Sequence, residues 1–306
     1  MKLRKWDEQH CDILREWLNR RPTMLSESSV AYHVIWKEHY QTKFHISDKG
    51  ILWVQRGDYG EPAALLPVTT LDNMRQQFDQ LQAYFSEELR APMRMYMVDE
   101  DALGALKLPE DKYDIVDDTE DCGDYIYDAK DMRTLAGSKF HKKRTLINNF
   151  LREYEGRYRY CPMGPEDKDK ICAFMGRWME DKQREDPLSL LQAERDGILR
   201  LMDVMDESGV RISGIEIDGK LKAFAMGSYS ERLRSVIIHE EKADIHIKGM
   251  YAFMDQQFLI REFPDALYVN REEDMGIPSL RTAKELYHPL YKTKKYRVVE
   301  KQGRQR

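Results

Sequence analysis

The chain reads as an α/β protein of the α+β kind, two domains with mixed central sheets, and three observations predict it. Its 306 residues exceed the usual length of one domain. Short apolar strand patterns interleave with amphipathic helical ones in both halves. In the second half an apolar strand, a helix and another apolar strand follow one another as a βαβ crossover. The expected division is residues 1–125 and 126–306, each half burying its own core.

In the first half, Ile13, Leu14, Trp17 and Leu18 fall on one side of a helix spanning 7–18, and a second helix is expected over 27–36. "KFHIS", "GILWVQ" and "PAALLPV" read as strands separated by turn signals at 48–50 and 57–60. A long helix over 71–89 and the strand "RMYMV" complete the block. The acidic tract "PEDKYDIVDDTEDCGDY" is expected to stay wet, as a surface crossover rather than a core element.

The second half opens with a helix in which Phe140, Ile147, Leu151 and Tyr154 share one face and Gly156 ends the run. Helices follow over 166–180 and 189–205. Asp218-Gly219 sits where a two-residue hairpin turn needs positive φ, between alternating apolar residues. "RSVIIHE", a helix over "KGMYAFMDQQFLIREF" and "ALYVN" form the crossover, with 236–239 and 267–269 as parallel neighbours. Both halves share this order of helices, hairpin, helix and strand, so a duplication of fold is expected without residue identity to support it.

Composition narrows the function. The 42% hydrophobic and 34% charged fractions describe a folded protein. A net charge of −5 argues against a general nucleic-acid or membrane coat, so any such role rests on local patches. Cys11, Cys122, Cys161 and Cys172 lack metal-ligand spacing and read as free buried thiols of a reducing, cytoplasmic protein. No window approaches the roughly 18 apolar residues of a transmembrane helix. No metal site is expected, and nucleophile elbows and phosphate-binding glycine loops are missing from the sequence.

The chemistry-bearing groups gather at the carboxyl ends of the two parallel strands, where open sheets bind ligands. The first exit carries His239, Glu240, Glu241, Lys242 and Asp244; the second carries Asn270, Arg271, Glu272, Glu273 and Asp274, followed by Arg281, Lys284 and Tyr287. Alternation puts Arg271 on the side of Leu267 and Val269, with Asn270 opposite. Two readings stay open for Glu241, Lys242, Arg271 and Glu272: salt bridges tying strand to helix, or substrate binding and proton transfer. His239 fits a locally hydrogen-bonded strand residue or a substrate contact, and Glu273 and Asp244 are expected in solvent. Exposed amides near Lys248 and Gly249 offer a place for an anionic group. Lys139, Lys142, Lys143 and Arg144 make the helix 139–154 basic; they are either solvated or a nucleic-acid dock.

"KFHKKRTLINNF", "GKLKAFAMG", "VIIHEEKADIHIKGMYAFMDQQF" and "YVNREEDMGIPSLRTAKELYHPLY" resemble the family grouped with the catalytic C-terminal domain of phosphatidylglycerol lysyltransferase, strongly over 125–297. The resemblance implies tandem GNAT-like acyltransferase folds. It implies transfer of an aminoacyl group from aminoacyl-tRNA to an amine or hydroxyl acceptor, a small molecule, lipid headgroup or peptide. On that basis Glu241 orients or deprotonates the acceptor, while Lys242, Arg271 and Tyr287 bind charge; His239, Asn270, Glu272, Asp274, Arg281 and Lys284 contact substrate, and Lys139, Lys142, Lys143 and Arg144 meet the tRNA acceptor stem. Where coenzyme A enzymes of this fold have a glycine-rich pyrophosphate loop, this chain has only Gly249, so coenzyme A is disfavoured and no cofactor is expected. Met254-Asp255 stand where the family has Ile-Asn, and Glu285-Leu286 where a small residue precedes the Tyr. The alternative is a non-catalytic protein of the same fold that binds an amino acid, peptide or RNA end.

Overall fold

The computed structural model describes residues 1–57, 60–182 and 188–302. The first half contributes strands β1 (Arg4–Lys5), β2 (Lys43–Ser47), β3 (Gly50–Arg56), β4 (Pro62–Val68), β5 (Arg94–Val98) and β6 (Tyr113–Asp117). β7 (Tyr125–Asp128) follows, and then β8 (Tyr158–Met163), β9 (Val210–Ile217), β10 (Lys220–Ser230), β11 (Ser235–Ala243), β12 (Tyr268–Asn270), β13 (Tyr291–Lys292) and β14 (Tyr296–Glu300). They form two seven-stranded sheets, ordered β1-β2-β3-β4-β5-β14-β6 and β8-β9-β10-β11-β12-β7-β13.

The two orders are one pattern used twice, and each sheet borrows its sixth strand. The strand after edge strand β6 is β7, which crosses into the second sheet between β12 and β13; the strand after edge strand β13 is β14, which returns to the first sheet between β5 and β6. Each half also holds one parallel pair joined by a helix: β4 and β5 around Leu71–Tyr84, and β11 and β12 around Met250–Glu262. The expected duplication is therefore visible in topology. The expected boundary at 125/126 runs along β7, and β14 lies in the first sheet rather than with the second half.

The acidic tract departs from expectation in a related way. Its residues Tyr113–Asp117 form β6, which pairs with β14 along its whole length, and Tyr113 is buried. A charged segment can do this at the sheet edge, where Asp114, Ile115 and Asp117 stay exposed while Tyr113 joins the core. β8 and the helix Glu100–Leu106 were not legible in the patterning.

The layers run helix, sheet, shared helices, sheet, helix. One core packs Phe78, Phe85 and Val298 on the outer side of the first sheet, and another packs Phe150, Phe253 and Phe258 on the outer side of the second. Between the sheets lies a third core common to both halves, in which Trp17, Ile35 and Trp53 join Ile171, Trp178 and Phe224. The helices Cys11–Arg20, Val30–Trp36, Lys168–Lys182 and Leu188–Asp203 supply most of it. A side chain at Gly197 would strike the backbone of Ile35, so glycine permits this close helix approach. Each half thus has an outer core of its own, and the two share the middle one.

Helix limits shift modestly from expectation. The first helix begins at Cys11 because Asp7 caps a preceding 3-10 turn, and the 71–89 helix ends in a π turn over Phe85–Leu89. The turn signal at 57–60 includes residues outside the described ones. The cysteines are free, but Cys11 alone is buried and Cys172 is exposed. Among the described residues no helix is long and apolar enough to cross a membrane.

His33 gives this core a pH dependence. It stacks on Trp53 with ring centres 4.6 Å apart and pairs with the Glu27 carbonyl at 3.1 Å, and burial pushes its pKa down to about 4. A folded-state value below the unfolded one means the unfolded chain binds the proton more readily. Stability is therefore present above about pH 6.5 and is lost as pH falls toward 4, by roughly 3 kcal/mol for this group. Urea titrations between pH 7 and 4 should show that slope, and His33→Phe should reduce it.

Candidate active site at the parallel strand pair

β11 and β12 pair only over three residues, Ser235 to Ile237 against Tyr268 to Asn270. Beyond Ile237, β11 continues to Ala243 with β10 alone, so one edge of residues 238–243 faces the gap left by β12. A β-bulge falls here. β10 sets Met226 against Glu240 and Gly227 against Ile238, leaving His239 without an opposing residue. The extra residue switches the alternation. Val236 and Ile238 face the outer core, and after the bulge it is Glu241 and Ala243 that do so, while Glu240 and Lys242 turn toward the shared core.

Glu241 thereby meets Arg271, the residue just past β12. Arg271 Nη2 donates to Glu241 Oε2 at 2.5 Å, and its Nη1 lies 3.2 Å from Asp255 Oδ2 on the helix Met250–Glu262. The guanidinium sits over the Tyr287 ring at 4.8 Å, and Lys143 Nζ approaches that ring at 3.6 Å. Glu241, Asp255, Arg271 and Tyr287 are almost wholly buried, with side chains of Glu241 and Arg271 only 7% and 14% exposed.

The electrostatics follow from that burial. Glu241 is held well above the usual carboxylate range by desolvation and then by the charge of Asp255, with Arg271 only partly offsetting them. Protonated Glu241 can donate to Asp255. Tyr287 is raised by burial and then by Asp255, whereas Lys143 is lowered by burial. The group therefore offers an acid whose neutral form is favoured by burial beside a guanidinium, a phenol and an ammonium, the equipment for moving one proton while a negative charge develops nearby.

Glu241, Lys242, Asn270 and Arg271, expected together at the two strand exits, divide between two environments in the structure. Arg271 and Asn270 do take opposite sides, as alternation requires. Lys242 is on the other face from Glu241, held by Glu240 at 2.9 Å and Glu194 at 3.0 Å above the Trp178 ring. Asn270 faces the first half, donating to the Met24 carbonyl at 2.7 Å and to Asp124 at 3.1 Å. The physical reason is alternation, which puts neighbouring residues of one strand on opposite faces, and the bulge at His239 decides that Glu241 rather than Lys242 takes Arg271's side.

The remaining candidates have structural partners. His239 lies between Ser228 Oγ at 2.8 Å and Glu272 Oε1 at 3.0 Å; burial lowers the imidazole to about 3 and raises Glu272. Asp274 accepts from Tyr125 and Arg281, and Arg281 also reaches Asp121 at 2.6 Å, pinning the loop after β12 to the start of β7. Lys284 donates to the carbonyls of Arg271, Glu272 and Glu273. Glu273, expected in solvent, is mostly buried, and Asp244 pairs with Lys222 at 2.9 Å.

On the basic helix the four cations diverge. Lys139 pairs with Asp131 at 2.7 Å, Arg144 donates to the carbonyls of Leu135 and Gly137, Lys143 turns inward to Tyr287, and Lys142 is exposed. Gly249 caps the helix Met250–Glu262 with φ of 87°, and any side chain there would strike the Leu146 carbonyl, so the basic helix closely covers that helix start. Lys248 is exposed.

Two groups were not among the site residues read from the sequence. Asp255 is a single acid on a helix face otherwise filled by Ala252, Met254 and Phe258, and that isolation was its signal. Lys295, fully buried, joins Asp124 and Glu27 at 2.8 Å each and ties the halves together; nothing in the local pattern marked it.

The sequence matches the family described as phosphatidylglycerol lysyltransferase, C-terminal, over residues 19–299. In structure the chain is similar to a conserved protein of unknown function from Bacteroides thetaiotaomicron, with a TM-score of 0.85, 24% identity, and coverage of 98% of this chain and 100% of that one. It is similar to L-PGS from Bacillus licheniformis, with a TM-score of 0.66, 14% identity, and coverage of 96% and 92%. A tandem GNAT protein from the clavulanic acid biosynthesis pathway aligns at 0.51 and 9% identity over 98% of each chain. The fold is thus the tandem GNAT arrangement, and the chain belongs to the phosphatidylglycerol lysyltransferase C-terminal family.

Proposed function

We propose that this protein transfers an aminoacyl group from an aminoacyl-tRNA ester to an amine or hydroxyl acceptor at the Glu241, Asp255, Arg271, Tyr287 and Lys143 site. One observation carries the reading: Glu241 and Arg271 meet at 2.5 Å in the gap where β11 and β12 part, beside a second acid, Asp255. Family membership supports the reaction class.

The chemistry balances as an acyl exchange. The acceptor nitrogen or oxygen attacks the ester carbonyl carbon, the carbonyl oxygen gains negative charge, and the bond to the tRNA ribose oxygen breaks. Arg271 and Lys143 supply positive charge near the developing oxyanion, and the Asp255–Glu241 pair takes the acceptor proton and returns one to the departing ribose oxygen. The acidic pair also suits the α-ammonium of an aminoacyl donor.

The test uses purified protein, bulk tRNA charged with labelled amino acids, and acceptors presented as phosphatidylglycerol vesicles, peptides or free amines. Glu241→Gln should lower kcat/KM by about 10²–10⁴-fold. Glutamine keeps the shape of Glu241 and an oxygen that accepts from Arg271, so the melting temperature should barely change. If no charged tRNA loses its label faster than in protein-free controls, transfer is refuted; saturable binding without turnover would favour the binding-module alternative.

A further inference from the structure

Lys284 is buried, and its ammonium points at three consecutive backbone carbonyls, those of Arg271, Glu272 at 3.1 Å and Glu273 at 2.7 Å. Three carbonyls in a row do not ordinarily converge. They do so here because Glu272 adopts a left-handed φ of 56°, which folds the chain back on itself directly after Arg271. Converging carbonyl dipoles repel one another unless a cation stands among them, so the turn and the ammonium require each other.

The carrier of that ammonium is itself held. Lys284 lies in the last turn of the helix Pro278–Glu285, its own carbonyl accepts from Tyr127 Oη at 2.9 Å, and Tyr287, three residues on, lies beneath the Arg271 guanidinium. One short segment therefore fixes Arg271 twice, at its backbone through Lys284 and at its head group through Tyr287.

We propose that Lys284 is a positioning residue for the transfer site, a built-in cation whose three hydrogen bonds to the exit of β12 set where the Arg271 guanidinium stands between Glu241 and Asp255. Its effect on turnover rests on the function proposed above; its effect on Arg271 does not. The charged groups acting on the ammonium are Arg271, Glu273, Glu272 and Asp124, with the Tyr125 ring at 5.8 Å, and Lys295 lies 3.9 Å from Glu273. Burial, and then the charge of Arg271, lower Lys284 to about 8. Above that pH the amine has too few hydrogens for three carbonyls, so turnover should decline there.

The experiment compares wild type, Lys284→Ala and Lys284→Met in two measurements: steady-state transfer, and the ¹⁵N signal of the Arg271 guanidinium, assigned with Arg271→Lys. Both variants should lose about 100-fold in kcat, as expected for a misplaced reacting group, with little change in donor KM. The guanidinium signal should broaden or move. Propylammonium, which replaces the missing side-chain atoms of Lys284→Ala, should restore signal and kcat saturably, whereas tetramethylammonium at equal ionic strength should not. If Lys284→Ala does not fold, Lys284→Met carries the test, since it keeps the bulk and loses the donors. A Lys284→Met protein with an unaltered Arg271 signal, or a loss confined to KM, overturns the proposal. If wild type transfers nothing, the proposed function falls, and the guanidinium signal alone decides the role of Lys284.

Discussion

A chain ending at Lys294 is expected not to fold cooperatively. The missing residues contain β14, which lies between β5 and β6 and hydrogen-bonds to both, so its loss opens the first sheet and strands β6. Val298, fully buried, leaves the outer core, a loss of about 1.5–3 kcal/mol. Removing Lys295 leaves Asp124 and Glu27 without their cation in a buried setting, at about 3–5 kcal/mol. These losses, with the broken strand pairing, reach the whole stability of an ordinary domain, about 5–15 kcal/mol. Far-UV circular dichroism melts and gel filtration should show a non-cooperative, expanded species, while a chain ending at Gln302 melts normally. A sharp transition within a few degrees of wild type in the shorter chain would mean that the exchanged strand does not hold the halves together.

Arg271→Met is expected to be the most damaging single substitution near the active site. It removes the one guanidinium touching both Glu241 and Asp255, and taking one partner from a buried ion network costs about 3–5 kcal/mol. Adding Glu241→Gln and Asp255→Asn separates this cause from simple loss of packing, and should recover much of the stability and none of the activity. Denaturant titrations of the single and triple variants check this; a triple variant no more stable than Arg271→Met alone would point to packing instead.

Much of this architecture was legible locally because periodicity is a local property. The hairpin at Asp218-Gly219, the crossover from β11 to β12 and the helix following Phe140 each follow from residues a few positions apart. The meeting of Glu241 with Arg271 was legible too, since two parallel strands must deliver their carboxyl ends side by side. Lys242 was grouped with Glu241 although neighbouring strand residues face opposite sides, and the bulge that decides which of the two meets Arg271 arises from how β10 pairs with β11, which no single strand encodes. β6 was misread because its charges suit an edge strand as well as they suit a loop.

By itself the sequence determined the two-sheet α/β class, the family, and the pair of strand exits that bear the charged groups, all consequences of spacing along the chain. Only the tertiary structure decided which charges work together: it added Asp255 and Lys143 to the site, gave Lys242 to the opposite face, and made Lys284 and Lys295 internal cations. It also exchanged β7 and β14 between the sheets. The reason is that a charge's role depends on what is buried against it, and those neighbours come from strands and helices distant in the chain.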